Sequence, residues 1–296
     1  MTGGTLLIIG CGNLGTAILS GILSSIFRST QPNSDSNYEN SKLTRFIAYV
    51  RQPESAERIK KVLGPVLSQH VEIEQHQDNR DILPGIVKKA DYIILGCKPN
   101  SVRSILEIDG MNEATRDKVL MSICAGVTTN QIANYLSCPR CSIVRVMPNI
   151  AASVKQSMTV ISSDHPLPFD VSTVISWIFS NIGQVAYLSD SQMDTATALS
   201  GSGPGFFALL LESAIEGALA MGMPRDVATR IAAQSMKGTA ELILAGEHPA
   251  ILKDKVSSPG GCTVGGLAIL EEGAVRSHVA KAIREASKIA GKLGSK

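Results

Sequence analysis

Three groups of residues have types and spacing that could do chemistry. The first is Gly10-Cys11-Gly12-Asn13-Leu14-Gly15, a GxGxxG run. It follows the apolar run Thr5 to Ile9, which reads as a buried strand, and opens the helical pattern of Leu14 to Ile26. In that context the first glycine permits a tight turn and the second lets a pyrophosphate approach the backbone. The third lets helix and strand pack. Free N–H groups at the helix start would then face the phosphates, with Ile9 beside them. A tight turn without a ligand is the alternative, which the repeated strand and helix units downstream disfavour.

The second group lies at later strand ends. Strand Leu43 to Val50 ends in Arg51-Gln52-Pro53, with no acid before Glu54. An NAD site usually places Asp or Glu there for the ribose 2′-OH, whereas an NADP site places a basic residue for the 2′-phosphate. Arg51 can grip a phosphate in bidentate fashion, so NADPH is expected, with NADH as an alternative that Gln52 would serve. Other strand ends carry Gly96-Cys97-Lys98-Pro99-Asn100, Cys124-Ala125-Gly126 and Met147-Pro148-Asn149. Carboxyl ends of parallel strands form the ligand crevice, which favours Lys98 and Asn149 over most polar residues.

The third group is KVSSPGGCTVGGLAILEEG, Lys255 to Gly273, uncharged from Val256 to Leu270. Pro259-Gly260 favours a tight turn that exposes backbone N–H groups, which suits an anion. The same residues suit a helix-to-helix loop with Thr263 as a plain N-cap. The residues alone leave both readings open.

The elements that must position these groups alternate. Strands are expected at Thr5–Ile9, Leu43–Val50, Val71–Glu74, Asp91–Cys97, Lys118–Ala125 and Cys141–Met147, with an edge strand at Val185–Leu188. Helices are expected between them, the one after Cys124 opened by a Thr cap. The fold class is therefore an α/β Rossmann domain, doubly wound with a mainly parallel sheet, over residues 1–189. An all-α domain follows over 190–296, with helices near 190–199, 204–221, 225–245, 264–272 and 274–293 and Pro224 in a first turn. GFFALLLESAIEGALAMG is apolar around most of its circumference, so it must be buried on several sides. This predicts that the second domain packs against a copy of itself. Residues 28–42 are polar and Asn/Ser-rich, and read as a long surface loop.

Composition narrows the function. Hydrophobic residues make up 44% and charged residues 18% of the 296, enough for a sizeable core. Net charge is only +2, which argues against nucleic-acid coating. No apolar run reads as a span of about 18–20 residues, so no membrane partner is expected. No leader-like segment is seen and the cysteines suit reduced thiols, so a cytoplasmic location is expected. Cys138-Pro139-Arg140-Cys141 is a lone CxxC read as a turn between helix and strand, and the five histidines have no ligand spacing. No metal site is expected.

LSGSGP (Leu199 to Pro204), EHPAILKDKVSSPGGCTVGGLAILEEG (Glu247 to Gly273), CKP and the opening GCGNLG together resemble the pyrroline-5-carboxylate reductase family, from about residue 5 to 290. The KVSSPGG-x-T segment is the most specific part. The resemblance implies reduction of Δ1-pyrroline-5-carboxylate to L-proline with NAD(P)H, the last step of proline biosynthesis. It also implies an interlocked homodimer, in some members within a decamer. Cofactor contacts would fall at Ile9 to Leu14, Arg51 and Gln52, Asn79, Gly96 to Pro99, and Cys124 to Gly126. Substrate contacts would fall on Val256, Ser258, Gly260, Gly261, Cys262 and Thr263, with Thr263 the catalytic candidate. The match at Asn79 is loose because the spacing before Asp91 differs. The 28–42 loop is longer than is usual in the family, and Cys262 stands where Ala or Thr is common. Two rivals remain. A β-hydroxyacid dehydrogenase would need a Lys in the helix after its Gly-rich turn, and GSGPG is followed by FFALLLESAI. A non-catalytic dinucleotide sensor would bind NADPH without turnover.

Overall fold

The chain is described by a computed structural model over residues 4–29, 43–76 and 81–293. Contacts divide it into two compact units, Met1–Gly201 with Ala286–Lys296, and Ser202–Glu285. The first unit is built on one sheet of order β3-β2-β1-β4-β5-β6-β7-β8. Its strands are β1 (Gly4–Ile9), β2 (Leu43–Val50), β3 (Val71–Gln75), β4 (Tyr92–Leu95), β5 (Val119–Ser122), β6 (Ser142–Met147), β7 (Ser157–Ser162) and β8 (Gly183–Tyr187). Pairing is parallel except between β6 and β7, and β8 is the expected edge strand. The first six strands follow the dinucleotide-binding order 3-2-1-4-5-6.

Helices α1 (Asn13–Ser29), α2 (Pro53–Leu67), α3 (Leu83–Val87), α4 (Val102–Leu106), α5 (Met111–Ala114), α6 (Thr129–Leu136) and α7 (Phe169–Ser180) cover both faces. The two-residue period of β1 sets the layers. Leu6 and Ile8 pack with Ile18, Ile22, Val174 and Ile178 on one face; Leu7 and Ile9 pack with Leu83, Val87, Val102 and Ile132 on the other. Each such fully buried aliphatic contributes about 1.5–3 kcal/mol. Thr128 caps α6 through a full capping box with Gln131, as its sequence position predicts. Of the segment expected to be a loop, residues 28 and 29 belong to α1 and 30–42 lie outside the described residues.

A segment placed with the second domain by sequence packs against the sheet. The 3-10 turn Asp190–Gln192, α8 (Met193–Ala196) and a π-turn at Thr197–Gly201 follow β8. Met193 and Ala196 pack on Met147 and Val160, and buried Arg145 of β6 donates to Asp190 at 2.8 Å. By compactness alone the chain divides at 201/202.

The second unit holds α9 (Gly203–Ala220), α10 (Arg225–Leu244), α11 (Pro249–Lys255), α12 (Cys262–Glu272) and the start of α13 (Val275–Leu293). Pro224 is the N-cap of α10, not a first-turn residue, and α11 is an element the sequence reading did not separate. Helices α9 and α10 pack on each other, yet Gly203 and Ile215 are the only buried residues of α9, and α12 has none. Leu209, Leu244 and Ile269 are each over 60% exposed. Apolar exposure on this scale marks an association surface. By length and composition alone, Asp190–Ala220 is long and apolar enough to cross a bilayer, where the sequence reading saw no such run.

Candidate active site

The Gly-rich turn joins β1 to α1. Gly10 has φ +80°, and a Cβ there would lie 2.9 Å from the Cys97 amide nitrogen, so only glycine permits this approach. A Cβ on Gly15 would fall 3.1 Å from Ile8 Cγ2 and 3.2 Å from Cys11 Sγ, the close helix–strand contact expected of the third glycine. Above Gly12 the nearest atom to such a Cβ is 3.9 Å away, which leaves the backbone open to a ligand. The amides of Gly10 and Cys11 donate to Tyr49 O and that of Gly12 to Gly10 O. The N–H groups of Asn13, Leu14 and Gly15, in the first turn of α1, have no carbonyl one turn earlier in the helix and can serve an anion. Burial pushes the Cys11 thiol up to about 12, so it stays neutral and adds no repulsion there.

A crevice of about 240 Å³ opens at this turn. It brings together Ile9, Gly10, Cys11, Gly12, Arg51, Gln52, Gly96, Cys97 and Lys98 from the sequence-predicted set. Pro99 opens the short helical turn just beyond it. Cys124, Ala125 and Gly126 stand at the end of β5 without lining the crevice. Cys124 is held against the 95–97 segment through Sγ contacts to Leu95 O (3.3 Å) and Cys97 O (3.2 Å). Asn79 lies outside the described residues. Asn149 does not line the crevice. Its Oδ1 accepts from Ala151 N and its Nδ2 donates to Ser200 O, both at 3.0 Å. That amide brackets the chain after β6.

Sequence reasoning missed several crevice residues. Ser55 sits three positions after Gln52, in the first turn of α2, a signal that could have been used. Leu83, Ile105 and Ile108 give an apolar wall from elements with weak local signals. Arg58 of α2 donates to Cys11 O at 3.1 Å and braces the Gly-rich turn from below. A larger cavity, about 670 Å³ and lined by Phe27, Arg45, His70 and Glu72, opens at the start of β2 and β3. Ligands of parallel sheets bind at carboxyl ends, so the smaller crevice is the cofactor candidate.

These features fit a dinucleotide phosphate. The backbone is open above Gly12, and an exposed Arg51 lines the crevice in place of an acid at the end of β2. Ligands for a metal do not cluster: no group of three His, Cys, Asp or Glu occurs among the described residues.

In the second unit, Ser258 to Gly261 forms a tight turn, with Gly261 N donating to Ser258 O at 2.9 Å and Gly260 at φ +69°. Positive φ at the third turn position, after Pro259, is the type II pattern. Gly261, not Thr263, is the N-cap of α12, which begins at Cys262. The plain N-cap reading of Thr263 is thereby overturned: its hydroxyl makes no hydrogen bond among the described residues and lies one position inside the helix. First-turn amides of Cys262, Thr263 and Val264 point along the open end. Val256 caps α11, and Val256, Ser258, Gly260 and Cys262 are exposed.

Two family descriptions match the chain. "Pyrroline-5-carboxylate reductase dimerisation" covers residues 190–293, and "NADP oxidoreductase coenzyme F420-dependent" covers residues 5–126. A pyrroline-5-carboxylate reductase of Lophium arboricola is 51% identical over 98% of this chain and 93% of its own length. One from Neurospora crassa is 44% identical with the same coverage. The crystal structure of a Plasmodium falciparum pyrroline carboxylate reductase with NADP bound superposes with a TM-score of 0.78, at 23% identity, over 99% of each chain. The dimerisation match accounts for the apolar surface of the helical unit, and the chain forms a homo-oligomer. By identity across almost its whole length, the chain belongs to the pyrroline-5-carboxylate reductase family.

Proposed function

We infer that this chain reduces Δ1-pyrroline-5-carboxylate to L-proline, the last step of proline biosynthesis, with NADPH as reductant. When bound, the cofactor supplies a hydride to the ring C=N carbon, and the ring nitrogen gains a proton. An iminium is already a strong electrophile, so positioning contributes more than a strong acid. The first-turn amides of α1 hold the pyrophosphate, and Arg51 with Gln52 and Ser55 holds the ribose 2′-phosphate end. Lys98 adds positive charge to the same crevice. The amides of Cys262 and Thr263 hold the substrate carboxylate, and the Thr263 hydroxyl orients the ring nitrogen.

The observation that carries this assignment is the capping of α12. Because Gly261 is the cap, the Thr263 hydroxyl and the adjoining amides have no partner among the described residues to compete with a substrate. The exposed apolar residues of α9 to α12 support an interlocked dimer in which residues 190–296 act as the dimerisation and substrate-binding region. Its relatives' biosynthetic role suits a cytoplasmic location. The test is loss of NADPH absorbance in the presence of pyrroline-5-carboxylate, with proline identified as product. NADPH binding without turnover would leave a dinucleotide sensor instead.

A further inference from the structure

Cys97 and Cys124 follow β4 and β5, neighbouring parallel strands paired Leu95 with Ser122. Each cysteine is two residues past that pair, so the same pleat brings both to one side. The contact is direct: Cys124 Sγ lies 3.2 Å from Cys97 O and 3.3 Å from Leu95 O, its one proton shared between the two carbonyls. Adjacent strands run about 4.8 Å apart, within the Cα separation a disulfide spans. Both thiols are free. Cys97 lines the cofactor crevice and is part-exposed, whereas Cys124 is buried behind it.

We propose that Cys97 and Cys124 form a peroxide-reactive dithiol whose disulfide closes the NADPH crevice. The electrostatics favour Cys97 as the attacking sulfur. The neighbouring Cys124 thiol, with the Arg51 guanidinium nearby, holds Cys97 below the usual thiol value. The Cys97 side chain beside it and burial push Cys124 upward, so it keeps its proton. Reactive redox cysteines share this character: thiolate-prone, reachable, and beside a resolving thiol. Cys138 and Cys141 contrast with them, because both are buried and burial pushes Cys141 up to about 12.

The chemistry balances with hydrogen peroxide as oxidant. The Cys97 thiolate attacks one peroxide oxygen, the O–O bond breaks, and hydroxide leaves, giving a sulfenic acid. The Cys124 sulfur then attacks the Cys97 sulfur. The S–O bond breaks, and the oxygen leaves as water with the Cys124 proton. Two thiols lose two electrons, and peroxide becomes two waters after the hydroxide is protonated. The consequence follows from packing. The Gly10 turn lies against the Cys97 amide so closely that a Cβ would meet it at 2.9 Å, and Gly96 N donates to Ile9 O at 2.8 Å. Drawing Cys97 toward Cys124 therefore disturbs the turn that cradles the pyrophosphate. This consequence rests on the cofactor placement given above, whereas the cross-link does not.

The test treats the purified full-length protein with hydrogen peroxide, with and without NADPH. Peptide mapping by mass spectrometry locates the cross-link, and NADPH fluorescence titration reads affinity. The expected result is loss of two hydrogens in a Cys97–Cys124 linked peptide, slowed at least fivefold by bound NADPH. NADPH Kd should weaken at least tenfold and recover with dithiothreitol. Cys124→Ala should stop at oxygen adducts on Cys97; should that variant not fold, mapping of the wild type alone decides. A link only between Cys138 and Cys141, or none, overturns the dithiol. A Cys97–Cys124 link with unchanged NADPH affinity overturns the closing of the crevice while leaving the reductase assignment intact.

Discussion

Replacing Thr263 with valine separates catalysis from folding. Valine keeps the shape and branching of threonine, and the two have similar helix propensity. The removed hydroxyl makes no hydrogen bond among the described residues, and Gly261 does the capping. No cap is lost, so stability should change by less than about 0.5 kcal/mol, the usual range for such a surface change. If the hydroxyl bonds the charged transition state, its loss removes about 1.5–3 kcal/mol. At 1.36 kcal/mol per decade, that lowers kcat/KM by roughly ten- to a hundred-and-fifty-fold. NADPH affinity should hold, because the phosphates are assigned to the Gly-rich turn of the first unit. Melting temperature, NADPH titration and steady-state kinetics on one preparation measure all three. Unchanged kcat/KM would refute the role of the hydroxyl and leave the carboxylate to backbone amides alone. A lowered melting temperature with intact kinetics would show that the hydroxyl has a structural partner in the assembled enzyme.

Arg51→Ala should raise KM for NADPH by roughly ten- to a hundred-and-fifty-fold, the loss of one charge-assisted contact of about 1.5–3 kcal/mol, and leave KM for NADH nearly unchanged. Equal effects on both cofactors would remove Arg51 from 2′-phosphate recognition. Asp190→Ala should destabilise the protein by about 1–3 kcal/mol, read from chemical denaturation. It strips the 2.8 Å partner from buried Arg145, while Asp194 at 3.8 Å and the partial exposure of Asp190 keep the cost below that of a fully buried pair. Gly21→Ala should cost about 1–3 kcal/mol, because the added Cβ would lie 2.7 Å from Ile182 Cγ2 and 2.8 Å from Asn181 O. Sedimentation at micromolar concentration should show no folded monomer; an active monomer would end the interlocked-dimer proposal.

Much of the first unit was legible because its signals are local. Leu43 to Val50 reads as a strand from its composition and is one over the same residues. The glycines of the opening motif and the Pro259-Gly260 turn impose their backbone conformations within a few residues, so spacing located the Gly-rich turn, whereas the reading of the 256–263 loop as a substrate site came from the family resemblance. The apolar circumference of the helix at 204–221 likewise declared that it must be covered, which the dimerisation match explains.

Tertiary structure decided what depends on residues far apart in sequence. Parallel strands are joined by long crossovers, so the meeting of Cys97 with Cys124 carries no local signature. The same holds for Arg58 against the Cys11 carbonyl and for Asn149 held by Ser200. Residues 190–199 read as a helix like those that follow, and only the packing of Met193 on the sheet and the Arg145–Asp190 pair assigns the segment to the first unit. The sequence offered Thr263 as the cap of α12 by residue type, and the structure places the cap two residues earlier. That position is where the backbone leaves extended geometry, at Gly261 with ψ 166°. Pattern specifies which segments become strands, helices and turns; the sheet's long-range pairing specifies which side chains share a site.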